Sequence, residues 1–178
     1  MGVDPEAPDA PGYHRVKLEK EELPQALGAV IACTSLHHVA DPSHVLSKMA
    51  SALSGDGVVI VVEWRWEDFD ESTARWCFDR LGPPEPAGWL HRRRDEWSGS
   101  LQTWGDYLRG WAAQEGLHTG ASLLRELDRR FDRRMFKYGP YFFPELAHTT
   151  ESDEQAAIDR GEIQACRIHY VGQLPVTT

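Results

Sequence analysis

Two adjacent histidines, His37 and His38, close a run of small polar side chains, Cys33-Thr34-Ser35, that follows an apolar segment. Imidazole is the side chain best suited to removing a proton near neutral pH, so either ring can act as a base facing a substrate. Two other uses compete: one ring capping the following helix, or both rings holding a metal. Adjacent residues on an extended segment point to opposite sides, which argues against joint ligation. Glu63 ends a second apolar segment; it either contacts a bound molecule or pairs with Arg65, and the ion pair is the expectation. Cys33, Cys77 and Cys166 are odd in number and widely spaced. They show neither metal-type spacing nor the density of a disulfide scaffold, so no metal site is predicted.

The elements that must hold these groups form one βαβ unit. Leu27 to Thr34 is nearly continuous small and β-branched residues, which predicts a strand buried on both faces, as in a parallel sheet. Asp41 can cap a helix and Pro42 suits its first position. Val45, Leu46, Met49, Ala50 and Leu53 then recur at helical spacing, and Gly55 and Gly57 are expected to end the helix. Val58 to Trp64 is the second buried strand. A right-handed crossover leaves Ser35-Leu36-His37-His38 and Glu63-Trp64-Arg65-Trp66 on one edge of the sheet, where open α/β sheets bind ligands.

Composition excludes several classes of function. With 178 residues the chain is expected to form a single domain that buries about two-thirds of its unfolded surface. Nineteen Lys and Arg against 28 Asp and Glu give a net charge of −9, which argues against a nucleic-acid partner. The basic run His91-Arg92-Arg93-Arg94 is followed at once by Asp95 and Glu96, as on a solvated surface. No apolar run approaches the roughly 20 residues of a membrane span. The acidic, proline-rich start resembles neither a secretory signal nor a transit peptide, so a cytoplasmic location is expected.

Elsewhere the pattern is plainer. Residues 1–11, taken alone, read as a proline-stiffened tail, and Tyr13 to Leu18 as a modest strand. Asp70 to Leu81 predicts a helix stopped by Gly82-Pro83-Pro84. Residues 82–100 read as an irregular loop. Trp97, Leu101, Trp104, Leu108 and Trp111 fall at steps of three and four, one helical face. That stripe predicts packing between a helical cap and the sheet, with an apolar or aromatic substrate pocket as the second reading. Leu123 to Phe131 continues helical, Arg134 to Phe143 is a strand broken by Gly139-Pro140, and Ser152 to Gly161 a short helix. Ala165 to Val171 alternates as a half-buried strand.

This order — strand, acidic loop with Leu23-Pro24, strand, Leu36-His37-His38, Asp41-Pro42 helix, Gly55-x-Gly57, apolar strand — resembles the class I S-adenosylmethionine-dependent methyltransferases, small-molecule branch. The likeness runs from Gly2 to Gly172 and is strongest from Glu19 to Glu63. It implies an α/β fold: a three-layer Rossmann-like sheet with a C-terminal antiparallel strand pair whose last strand inserts into the sheet. Residues 82–130 then form a helical cap or substrate insertion within one methyltransferase-like domain, 1–178.

The resemblance also implies a site. Asp4 matches the acid that closes the family's second strand and holds the cofactor ribose, since a carboxylate accepts two hydrogen bonds from a vicinal diol. Glu19, four residues before Leu23-Pro24, matches the acid near the adenine amino group. Cys33, Thr34 and Ser35 match the segment lining the cofactor, so Asp4, Glu19, Cys33 and Ser35 are the expected cofactor-binding residues. His37 and His38 lie where substrate and methyl donor would meet; no catalytic residue is assigned. The family's first strand and its Gly-x-Gly-x-Gly loop should precede Asp4. The sequence is therefore expected to be most of such a domain, N-terminally incomplete, with impaired binding of S-adenosylmethionine.

The expected function is methyl transfer from S-adenosylmethionine to a small-molecule acceptor. The alternative is a non-catalytic interaction or assembly domain working through its aromatic cap, and a homo-oligomer is among the partners it allows. A nicotinamide-dependent oxidoreductase shares the βαβ signals but fits the histidine pair and terminal hairpin less well. Neither nucleic acid nor membrane is an expected partner.

Overall fold

The computed structural model describes residues 1–83 and 88–176. Its first two strands, β1 (Gly2–Val3) and β2 (Tyr13–His14), pair in parallel as a two-stranded sheet. The start is thus held rather than frayed. The Asp4 amide donates to the His14 carbonyl at 3.1 Å, Arg15 Nε reaches the Ala7 carbonyl at 2.8 Å, and Ala7 is buried. The strand expected over Tyr13 to Leu18 is shortened to two residues, and Leu18–Lys20 forms a 3-10 turn.

The βαβ unit follows. β3 (Leu27–Cys33) leads through a 3-10 turn, Leu36–His38, into α1 (Pro42–Ala52) and then β4 (Leu53–Trp64). Asp41 accepts from the His44 amide at 3.0 Å and Pro42 opens the helix, so capping sets its start. Val45, Leu46 and Met49 are fully buried against the sheet. Gly55 and Gly57 do not end α1; they lie in β4, whose pairing with β3 shifts register between Leu27 and Ala29. β3 and β4 run parallel, with Cys33 opposite Val62.

β3 departs from the expected burial on both faces. It is an edge strand, and Gly28, Ala29, Ile31 and Cys33 are exposed. Ile31 is 66% exposed. β4 covers one edge of β3, and no strand among the described residues pairs with the other.

The middle of the chain is helical. α2 (Glu71–Phe78) is capped by Asp70, which accepts from the Thr73 amide at 2.8 Å. Within the stretch read as irregular, α3 (Trp89–Ser98) forms; residues 84–87 of that stretch, including Pro84, lie outside the described residues. Its inward side chains include His91 and Arg93, so an apolar stripe does not mark it. The tryptophan stripe is divided: α3 ends before Gly99, and Thr103 caps α4 (Trp104–Gln114), leaving Leu101 fully exposed. α5 (Gly120–Asp128) completes the segment.

β5 (Asp132–Gly139), α6 (Glu151–Asp159) and β6 (Arg167–Gln173) close the fold. Thr150 caps α6, in a capping box with Asp153, one residue before the helix's first turn at Glu151. β6 inserts antiparallel between β4 and β5, giving a mixed sheet of order β3-β4-β6-β5. One apolar cluster joins this sheet to α1 and α5 through Val59, Val61, Ile168 and Tyr170. A second, largely aromatic cluster joins Trp64 and Phe69 to Leu90, Trp104, Leu108 and Phe142. No helix among the described residues is long and apolar enough to cross a membrane.

Candidate functional site

The carboxyl ends of β3 and β4 are tied together by one side chain. Glu63 is closed to solvent on β4, and its carboxylate accepts from the amides of Ser35 at 3.1 Å and Leu36 at 2.8 Å. It also accepts from the Trp64 amide at 2.8 Å and is hydrogen-bonded to Nδ1 of His37. The expected Glu63–Arg65 pair does not form; Arg65 turns to Asp68 at 2.8 Å. Glu63 shares the buried inward face of Val59 and Val61, where three backbone amides and His37 take its oxygens, and β4 ends before Arg65. Both carboxylate oxygens already accept backbone amides, which favours Nδ1 of His37 as the donor in this bond.

His37 and His38 lie on a 3-10 turn rather than an extended segment, which brings their rings to 4.2 Å. His37 is buried, whereas His38 is open on one side. Burial of its packed side, then the adjacent His37, lower the pKa of His38 below the ordinary 6.5; Glu63 and Glu115 oppose the shift. The segment is pinned from the helical side too. The His118 amide donates to the His37 carbonyl at 3.0 Å, and the His118 ring meets the Val39 carbonyl at 2.9 Å.

Two cavities open at this edge. The first, of about 890 Å³, lies between β1 and β3; Asp4, Glu19, Ser35, His38, Val39 and Met49 are among its walls. Asp4 directly follows β1, where one carboxylate oxygen accepts from the Glu6 amide at 2.7 Å. Glu19 sits on the 3-10 turn and accepts from the Ala40 amide at 3.3 Å. The second oxygen of each acid has no partner among the described residues.

The second cavity, of about 510 Å³, is walled by Trp64, Trp89, Trp111 and Tyr141 with His37, His38, Arg92, Arg93, Glu115 and Glu145. Thr34 and His38 border both cavities. Thr34 adopts φ +46°, a left-handed conformation that is costly for a β-branched residue, and so turns the chain out of β3 between the two spaces.

The structure therefore brings Asp4, Glu19, Ser35 and His38 to one cavity and His37 and His38 to the next. Cys33 is exposed and borders neither. Sequence reasoning missed Glu63 as the organiser of the His37 turn, and Trp64, Trp89, Arg93 and Tyr141 as walls. A carboxylate inside a valine-rich strand was the available signal for Glu63. Of the tryptophan stripe, Trp111 reaches the second cavity, while Trp104 is core, its Nε1 donating to the Phe69 carbonyl at 2.5 Å.

No protein-family profile matches the sequence, and no curated protein matches it. Solved structures match the fold. An S-adenosylmethionine-dependent methyltransferase from Mesorhizobium loti aligns with a TM-score of 0.50 at 16% identity, covering 94% of this chain and 72% of that one. The N-methyltransferase NodS from Bradyrhizobium japonicum, in complex with S-adenosyl-L-homocysteine, gives 0.46 at 8% identity over 92% of this chain and 54% of its own. Geranyl diphosphate C-methyltransferase from Streptomyces coelicolor A3(2) gives 0.47 at 10% identity over 92% and 54%. The chain spans about half the length of these last two. With its terminal strand inserted antiparallel beside a parallel βαβ unit, the chain has the fold of the class I S-adenosylmethionine-dependent methyltransferases.

Proposed function

We propose that this chain supports methyl transfer from S-adenosylmethionine to a small-molecule acceptor, the donor in the first cavity and the acceptor in the second. The observation that carries the reading is the shared boundary: Thr34 and His38 face both spaces, so two bound molecules would meet there. When bound, the donor supplies an electrophilic methyl group on a sulfonium. Catalysis then rests mainly on alignment, with a base where the acceptor must lose a proton.

The residues fit the adenosyl part of such a donor. Asp4 and Glu19 stand on the wall, each with a second carboxylate oxygen that has no partner among the described residues, suited to a ribose diol and an exocyclic amine, and Val39 and Met49 supply apolar surface. Ser35 belongs to this wall, whereas Cys33, proposed from the resemblance, stands exposed at the end of β3 beside it. His37 and His38 are the proposed acceptor-side residues. His37 is held at Nδ1 by Glu63, which leaves Nε2 outside that bond, and burial of its packed side lowers the pKa of His38.

The first cavity is flanked by β1 and β3, which do not pair with each other. We read this gap as the place of one more strand and its glycine loop, which would bring backbone amides to the methionine carboxylate. Residues 82–130, in the same reading, are the insertion that builds the acceptor wall within one domain.

Isothermal titration with S-adenosylhomocysteine tests the reading, using this chain and a version with a strand ending in closely spaced glycines fused ahead of Met1. Saturable binding by either form, weakened at least tenfold by Asp4→Asn, supports it. Absence of binding by both forms overturns it.

A further inference from the structure

We propose that the second cavity takes a planar aromatic molecule carrying a carboxylate, with Arg93 as its anchor. The proposal rests on the methyl-transfer reading for the ligand's role as acceptor, and on the chemistry of this cavity for its class. Trp64 stacks on Tyr141 at 5.7 Å with planes 9° apart, and the Trp89 ring meets Trp64 edge-on at 5.1 Å. Trp111 lies 5.7 Å from Trp89. These contacts make one continuous aromatic wall, the surface against which a flat ring stacks.

The choice of an anion comes from unmade hydrogen bonds. Arg93 is 8% exposed, and only its Nη2 is used, donating to Glu96 at 2.7 Å. Its Nε and Nη1 are buried and find no partner among the described residues, and the same holds for Nε1 of Trp64. Both residues wall the cavity. A buried donor without an acceptor is a standing cost to the fold, and with Trp111 turned aside a ligand carboxylate reaching Nε or Nη1 of Arg93 would remove it. Trp111 now lies over the Arg93 guanidinium at 4.9 Å; the ligand's ring would take that place as Trp111 turns aside.

An ammonium ligand is the opposing case, since aromatic walls and acids also suit cations. Arg92 and Arg93 stand among Glu115 and Glu145, with Arg93 also paired to Glu96, and a cation would leave Nε and Nη1 of Arg93 and Nε1 of Trp64 unanswered. Glu145 is also drawn toward Arg92 and His91, and burial holds its pKa above the ordinary carboxylate value.

Titrations followed by tryptophan fluorescence, with 4-hydroxybenzoate, its neutral amide and 4-hydroxybenzylamine, decide the matter. The acid is expected to bind at least tenfold tighter than amide or amine. Arg93→Met should bring acid and amide to parity, and Arg93→Lys should restore part of the preference. Trp111→Leu, which keeps the anchor, should alter acid and amide binding by the same factor. Equal or tighter binding of the amide or amine, an acid preference that survives Arg93→Met, or no binding of any probe overturns the proposal. S-adenosylhomocysteine is titrated separately. Acid binding without it keeps this inference and sinks methyl transfer; the reverse result does the opposite.

Discussion

Glu63 and His37 are hydrogen-bonded at the carboxyl end of β4, and both side chains are closed to solvent. Because the same carboxylate also receives three backbone amides, one residue fixes the turn after β3, the His37 ring and the junction of two strands.

Glu63→Ala should therefore cost about 3–5 kcal/mol in urea unfolding, since it orphans a buried imidazole and three amides together. Glu63→Gln keeps an acceptor for the amides and should lose less. A cost below about 1 kcal/mol for the alanine variant would show that the turn stands without the carboxylate.

Stability should fall as pH drops below 6.5, in part through His38. Its folded pKa lies below the unfolded value, so at high pH both states carry a neutral ring and nothing is lost. As pH passes down through 6.5 the unfolded chain takes up the proton first, and stability declines until the folded pKa is reached. His169, lowered by burial and by Arg167 and Lys137, adds to the same slope. Urea midpoints at pH 7.5 and 5.5 should separate less in His38→Asn than in the parent, and an unchanged separation would remove His38 from the account.

Thr34→Gly should stabilise the fold by roughly 0.5–1 kcal/mol. Relief of a left-handed β-branched residue is worth about 1–2 kcal/mol, and the freedom glycine adds to the unfolded chain takes back roughly 0.5–1. The expected gain would appear as a higher thermal midpoint. A loss of more than about 1 kcal/mol would mean that the threonine side chain supports the bend rather than strains it.

The βαβ unit was legible because its signals are local. Asp41-Pro42 announces the helix start, Val45, Leu46 and Met49 its buried face, and Val58 to Val62 the strand. The inserted β6 was legible from its alternation. α3 escaped notice because His91 and Arg93 occupy inward positions that apolar periodicity does not count. Leu101 was placed in a helix because the stripe was read through Gly99-Ser100, where the chain breaks instead. The Glu63–His37 bond joins residues 26 apart, and it exists only once β3 and β4 are in register. Of the candidate site, the segment around Ser35 to His38 could be found by sequence. The second cavity's walls come from five separate stretches and could not.

The bare margin of β3 sets how the molecule behaves in company. A row of amides and carbonyls that no strand among the described residues covers, with Ile31 beside it, is a template on which an extended backbone, another copy of this chain included, would pair. A net charge of −9 holds such copies apart in dilute buffer. Added salt shortens the reach of that repulsion, so light scattering is expected to show more association as ionic strength rises.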